Sequence, residues 1–430
     1  MIVAAVWALF FLEGAISFLF FDKVFICKYE DGISFTIVAL NALFVFFAII
    51  KIQNSNKEQF ISIIVFLLLT LLIVFDRFAF PFDTSDSDAF HIAAVNQMNG
   101  ITYMYGYGGV YVKLVSLLYS LFGELRMVAQ YVNALLVFSS VYYLKKIFLI
   151  LNLEKNARVF SFSLLLIVPF FYMHNAVLRR ESVIEFLLIV SFFHFIKWMK
   201  TYKIASLLAA LFFSLFAATF HSGVICVCLA YMIFFVLYDK YSKKFEFRWY
   251  SVIVVFLFVI AAFVVNASYG SVFLGKFQGK DYSQVEERLS QKSGGSGYIV
   301  PEIPVGNSIV KFIVNTPLRC IYYLFSPMPW DWRGPFDILA FVFSSLFYGI
   351  GYVAVINILK EKKIMGLNKY VLILGLLIFF LSSILFAWGV RNAGTAIRHR
   401  DKFIFIYLTM VAICNNAKNK PFIRIKNEQR

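Results

Sequence analysis

Charge is scarce in this sequence. Only 15% of its 430 residues are charged, where a soluble domain carries about a quarter. Hydrophobic residues make up 61% of the chain, which excludes an ordinary water-soluble domain. Strict apolar–polar alternation is also missing, and a transmembrane β-barrel would need it. Cysteine is sparse and odd in number: Cys27, Cys226, Cys228, Cys320 and Cys414 form neither a disulfide framework nor a zinc spacing. Cys226 and Cys228, two apart in an apolar stretch, point in different directions and read as packing residues. The start lacks a basic n-region and a small-residue cleavage site, so a first helix is expected there and not a cleaved leader. No internal repeat or soluble-domain boundary is visible, so residues 1–430 read as one integral-membrane domain. Acidic residues are few, 24 against 40 basic, which gives a net charge of +16. In a soluble protein this would suggest nucleic acid. In a chain this apolar it is first a topology signal, and no nucleic-acid partner is expected.

What the chain does contain is a series of apolar runs about long enough to cross a bilayer. Hydrophobic length predicts an all-α polytopic membrane protein of about twelve helices, at 2–21, 33–51, 60–75, 126–147, 157–174, 181–197, 204–220, 223–239, 249–266, 337–359, 369–388 and 402–416. The linkers at 51–59, 145–158, 197–203, 239–248 and 360–369 and the tail 417–430 are lysine-rich. The positive-inside rule places them, and both termini, in the cytosol. Two long segments then lie outside, 76–125 and 267–336. The piece Tyr111–Phe122 in the first is too short to span and is expected to lie along the interface. Most arginines and four of the five histidines (His91, His174, His221 and His399) fall on that outer side. Arginine on the disfavoured side, with its planar fork of donors, points to phosphate or carboxylate recognition there.

Five constellations on that face carry candidate chemistry. Asp83, Asp86 and Asp88 read as a general base whose partner charges lift its pKa, as a divalent-cation site, or as a solvated loop with capping residues. Arg179 and Arg180 precede a helix whose free N–H groups would add to a phosphate site, with Glu181 beside them. The plainer reading is surface charge with a helix-dipole partner. His221 sits in a tight turn, where it either meets a phosphate oxygen or simply ends a helix. Arg391, Arg398, His399, Arg400 and Lys402 form the densest basic stretch and oppose the insertion rule, which favours anion binding. Tyr103, Tyr105 and Tyr107 alternate with glycines, suited either to stacking on a sugar or to interfacial anchoring.

The stretch Asp86-Ser87-Asp88-Ala89-Phe90 through Gly100, then Tyr111–Gly123, Arg126 and Asn133, resembles the first outer loop of integral-membrane glycosyltransferases of the GT-C class. Leu178-Arg179-Arg180, Phe220-His221-Ser222, and Asn392-Ala393-Gly394-Thr395 through Arg398-His399-Arg400 look like features of bacterial polysaccharide-cluster proteins, including EpsG-like and Wzy-type repeat-unit polymerases. Many GT-C enzymes have adjacent acidic residues where this chain has Asp-Ser-Asp, so the resemblance leaves both Asp86 and Asp88 as candidates. It implies a sugar donor on a polyprenyl phosphate or diphosphate, used on the periplasmic side of the bacterial inner membrane with inversion, and a glycan acceptor. It implies that Asp86 or Asp88 deprotonates the acceptor while Arg179, Arg180, His221, Arg391, Arg398, His399 and Arg400 hold phosphate. No cofactor is required, apart from a divalent cation if the aspartates hold one. The rival reading is a transporter or flippase of lipid-linked oligosaccharide, which would also need cations for a diphosphate. Flippases usually carry mid-span charge and inverted repeats, and neither is evident here. A scaffold in a polysaccharide-export complex is a third reading, disfavoured by the gathering of Asp, Arg and His on one side.

Overall fold

The computed structural model describes residues 1–24, 30–78, 85–101, 109–239, 308–390 and 392–419, with scattered positions between 244 and 304. The described chain is helical and contains no strand; one isolated bridge joins Tyr238 and Phe245. The helices are α1 (Ile2–Val24), α2 (Glu30–Ile52), α3 (Asn56–Phe78), α4 (Ser85–Met98), α5 (Val110–Phe122), α6 (Arg126–Ile150), α7 (Lys155–Leu165) and α8 (Pro169–Ala176). They continue as α9 (Glu181–Thr201), α10 (Ile204–Phe220), α11 (Ile225–Leu237), α12 (Ser308–Phe325), α13 (Pro335–Lys360), α14 (Gly366–Ala387), α15 (Ala393–Asp401) and α16 (Ile404–Asn419).

Six helices are long and apolar enough to cross a bilayer, α2, α3, α6, α9, α13 and α14, or seven if the bent pair α7–α8 counts as one span. The chain is thus built as a multi-pass membrane protein. The expected twelve are not reached among the described residues. The run 157–174 breaks into α7 and α8, which meet at 62°. Pro169 opens α8, and the residue before a proline is pushed out of the helical region: Val168 has φ −111° and ψ 85°. The runs near 2–16, 204–220, 222–237 and 404–418 form apolar helices shorter than a full span, and most of 249–266 lies outside the described residues. The two segments expected outside are not plain loops. The interval 76–125 holds α4 and α5, and 267–336 holds α12, in which hydrophobic length gave no helix.

The bundle is arranged around α6 and α9, which pack on each other and are the most completely buried spans. α10 covers α9, α3 and α2 cover α6, and α16 runs against α7 and α13. Two glycines set close crossings: a side chain at Gly351 would strike Tyr407, and one at Gly375 would strike Met410. At one end of α6, Lys145 donates to the Ile52 carbonyl and to Asn54 Oδ1 (2.7 Å). Nearby, Ser55 Oγ accepts the Glu58 N–H at the start of α3, while the Glu58 carboxylate accepts the Asn54 N–H (3.3 Å) and pairs with Arg158 at 2.8 Å, which ties α3 to α7. The candidate site lies at the other end of α6, beside Arg126, about 28 Å away along the helix.

Candidate functional site

Helix α4 begins at Ser85, so Asp86 and Asp88 stand in its first turn, where negative charge suits the helix dipole. Two residues along a helix are about 200° of rotation, and the carboxylates therefore diverge. Asp86 meets Arg398 Nη1 at 2.5 Å and Arg179 Nη2 at 3.8 Å. Asp88 meets Arg126 Nη1 at 2.6 Å. Ser87, between them, is fully buried, and its Oγ accepts from Leu178 N (3.1 Å) and from Arg126 Nη2 (3.0 Å). One hydroxyl thus fixes α4 to the start of α6 and to the turn before α9.

That turn carries the two arginines. Asn133 Nδ2 holds the Val177 carbonyl (2.8 Å), and Arg180 Nη1 donates to the Phe220 carbonyl (2.8 Å), tying the turn to the end of α10. Burial and the neighbouring Arg398 pull the Arg179 guanidinium down to about 10, and burial lowers Arg180 as well. Both shifts express positive charge held close together and away from water. Glu181, buried at the first turn of α9, offsets part of it: its Oε1 lies 3.4 Å from Arg398 Nε and 3.7 Å from Lys402 Nζ.

Helix α15 supplies the third side. Asn392 caps it by accepting the Thr395 N–H at 2.6 Å. Arg398 faces Asp86 and Glu181. His399 is buried, its ring 4.6 Å from that of His221 and 4.6 Å from that of Phe386. Lys402 Nζ lies 2.8 Å from His399 Nδ1. An ammonium only donates, so Nδ1 accepts and the ring proton sits on Nε2. Burial, then the charge of Lys402, holds His399 well below the usual histidine range, so this imidazole is neutral. Behind it, Asp401 accepts from Tyr348 Oη (3.0 Å) and lies 3.2 Å from His174 Nδ1.

The structure therefore joins Asp86, Asp88, Arg179, Arg180, His221, Arg398 and His399 in one cluster, but not Arg400. Arg400 turns away, almost wholly buried, and donates to the Tyr323 carbonyl (2.5 Å), the Ser326 carbonyl (2.9 Å) and Ser344 Oγ (3.0 Å). Consecutive helical residues differ by about 100° in direction, so the basic stretch splits over several faces and Arg400 becomes a strut between α12 and α13. Its expected phosphate contact is corrected on that ground. Arg391, Asp83 and the tyrosines 103, 105 and 107 lie outside the described residues. The described residues contain no group of three or more metal-ligating side chains, and Asp86 and Asp88 each face a guanidinium.

Sequence reasoning placed Lys402 in the basic stretch but gave no role at the site to two members of the cluster, Arg126 and Glu181. Arg126 and Glu181 each open a buried helix, which was the available signal. Together the described cluster sets five cations against Asp86, Asp88 and Glu181. An excess of positive charge in a half-buried site suits an anion, and a carboxylate within it can take a proton once its guanidinium partner is drawn elsewhere. No family model, characterised protein or solved structure matches the chain.

Proposed function

We propose that this chain is a membrane glycosyltransferase of the GT-C type. In this reading it uses a polyprenyl-phosphate- or diphosphate-linked sugar on the periplasmic side of the bacterial inner membrane and extends or modifies a surface polysaccharide. The observation that carries it is the placement of Asp86 between Arg398 and Arg179, three residues from three distant segments.

The resting ion pair suggests an order of events. A carboxylate clamped by a guanidinium at 2.5 Å is a weak base. A donor phosphate that engages Arg398 and Arg179 competes with Asp86 for them, and the freed carboxylate becomes a stronger base next to the anion. The acceptor hydroxyl then attacks the anomeric carbon, its proton passes to Asp86, and the sugar–phosphate C–O bond breaks with inversion. The leaving phosphate keeps its charge against Arg179, Arg180 and Arg398. Neutral His399, buried beside His221, offers an Nε2–H donor next to the cluster.

The test is transfer from a polyprenyl-diphosphate-linked sugar to glycan acceptor in detergent. Asp86→Asn should remove transfer while leaving yield and melting temperature near those of the parent, and Asp88→Asn should reduce it less. Full transfer in both variants and in the double variant would remove the base assignment. Movement of lipid-linked sugar across sealed vesicles without any new glycosidic bond would favour the flippase reading.

A further inference from the structure

Helix α12 has its polar residues inside and its apolar residues outside. Val310, Ile313, Val314 and Ile321 follow helical spacing along one face and are exposed, Ile313 by 63%. The opposite face holds Asn315 and Arg319, both nearly fully buried. Asn315 accepts from the Ile303 N–H (2.8 Å) and donates to the Ile303 carbonyl (3.2 Å). Arg319 lies over the Trp388 ring at 4.4 Å, and Trp388 Nε1 donates to Thr316 Oγ1 at 2.9 Å. A helix on a water-facing surface shows the reverse arrangement.

Its depth agrees with its pattern. Ser345 Oγ donates to the Ser326 carbonyl just past the end of α12 (2.8 Å), and a side chain at Gly349 would lie 3.1 Å from the Phe325 ring. Ser345 is ten residues inside the span Pro335–Lys360, about 15 Å from its start at 1.5 Å per residue. The C-terminal end of α12 therefore packs well below the end of that span. The outward residues of α13 beside it, Val342, Leu346 and Ile350, are also apolar and exposed.

We infer that α12 lies within the outer leaflet, with Val310, Ile313, Val314 and Ile321 against lipid acyl chains and Asn315 and Arg319 turned into the protein. The hydrophobic pattern of a lipid-facing helix is continuous from α12 to α13, and this continuity selects acyl chains as the occupant. The inference rests on the membrane architecture and not on the proposed transfer reaction.

The test places a bimane fluorophore at Ile313→Cys, at Val310→Cys, and at Arg333→Cys as a water-exposed control, each with Cys320→Ser. The labelled full-length proteins are reconstituted in phosphatidylcholine vesicles, with and without brominated acyl chains, and the label on the Cys320→Ser parent is subtracted. Bimane at 313 and 310 should lose most of its emission in brominated lipid and resist aqueous iodide, with the reverse at 333. Quenching at 313 and 310 by iodide and not by brominated lipid would overturn the inference in favour of water. Protection from both quenchers would overturn it in favour of a covering segment of this chain or a second copy. None of these outcomes depends on enzymatic activity, so failure here leaves the transferase reading standing, and the converse holds.

Discussion

Arg400 and Arg398 are two residues apart and do different work. Arg398 spans two carboxylates in the half-buried cluster, whereas Arg400 holds two backbone carbonyls and a serine in the interior. Removing a buried partner leaves those acceptors unsatisfied, at about 1–3 kcal/mol each. Arg400→Met should therefore cost about 3 kcal/mol or more, read as a large drop in melting temperature in detergent. Arg398→Gln should lower transfer with little change in melting. His399 gives a pH test. Its folded pKa lies below the ordinary 6.5, so folding favours the neutral ring. That stabilisation is fully present above pH 6.5 and is lost as pH falls toward the folded value. Melting temperature should decline on acidification below about pH 6.5, and His399→Gln should flatten that part of the profile.

At the scale of elements, the site is a meeting of helix starts. α4, α6 and α9 each present a first turn to the same place, and α15 adds Arg398, which reaches Asp86 on α4 and Glu181 on α9. Ser87 joins three of the four, because its single oxygen accepts from Leu178 N and from Arg126. Ser87→Ala would leave the buried Leu178 N–H without its acceptor, at about 1–3 kcal/mol. The expected result is a lower melting temperature together with weaker transfer, since Asp86 and Arg179 lose their common anchor. Ser87→Thr retains a hydroxyl and should recover part of both. A melting temperature unchanged in Ser87→Ala would refute this anchoring role. The α7–α8 break is a second element-scale feature. It delivers His174 and Asn175 to the interior, where Asn175 contacts Glu185 and His174 meets Asp401.

At the scale of the whole molecule, the two ends of the bundle differ chemically. One carries the Asp86–Arg398 cluster, and the other carries Lys145, Arg158 and the lysine-rich linkers. The positive-inside rule then predicts sidedness. Cysteines introduced at the exposed positions Asn99 and Lys362 should separate in intact cells. Asn99→Cys should react with a membrane-impermeant maleimide and Lys362→Cys only after the membrane is opened. The opposite pattern would put the cluster in the cytosol and remove the periplasmic donor reading. Reaction of both in intact cells would remove the bipolar arrangement itself.

Composition and hydropathy by themselves settled that the chain is helical and crosses a membrane several times, because lipid selects long apolar runs residue by residue. Residue type and expected side of the membrane also singled out Asp86, Arg179, Arg398 and His399, but on the same grounds Arg400, which packing turns into the interior. The short helix Val110–Phe122 was legible too, since its length forbids a full span. Tertiary structure decided the rest. An apolar run looks the same whether it faces lipid or protein, so hydropathy could not tell a full span from a short buried helix, nor find α12, whose pattern is inverted. Asp86 and Arg398 are 312 positions apart, and only the tertiary fold, which brings the first turn of α4 within reach of Arg398, makes them neighbours. Helical rotation sends Arg400 away from Arg398, and such directions depend on where each helix begins and what it packs against, which no local sum over the sequence contains.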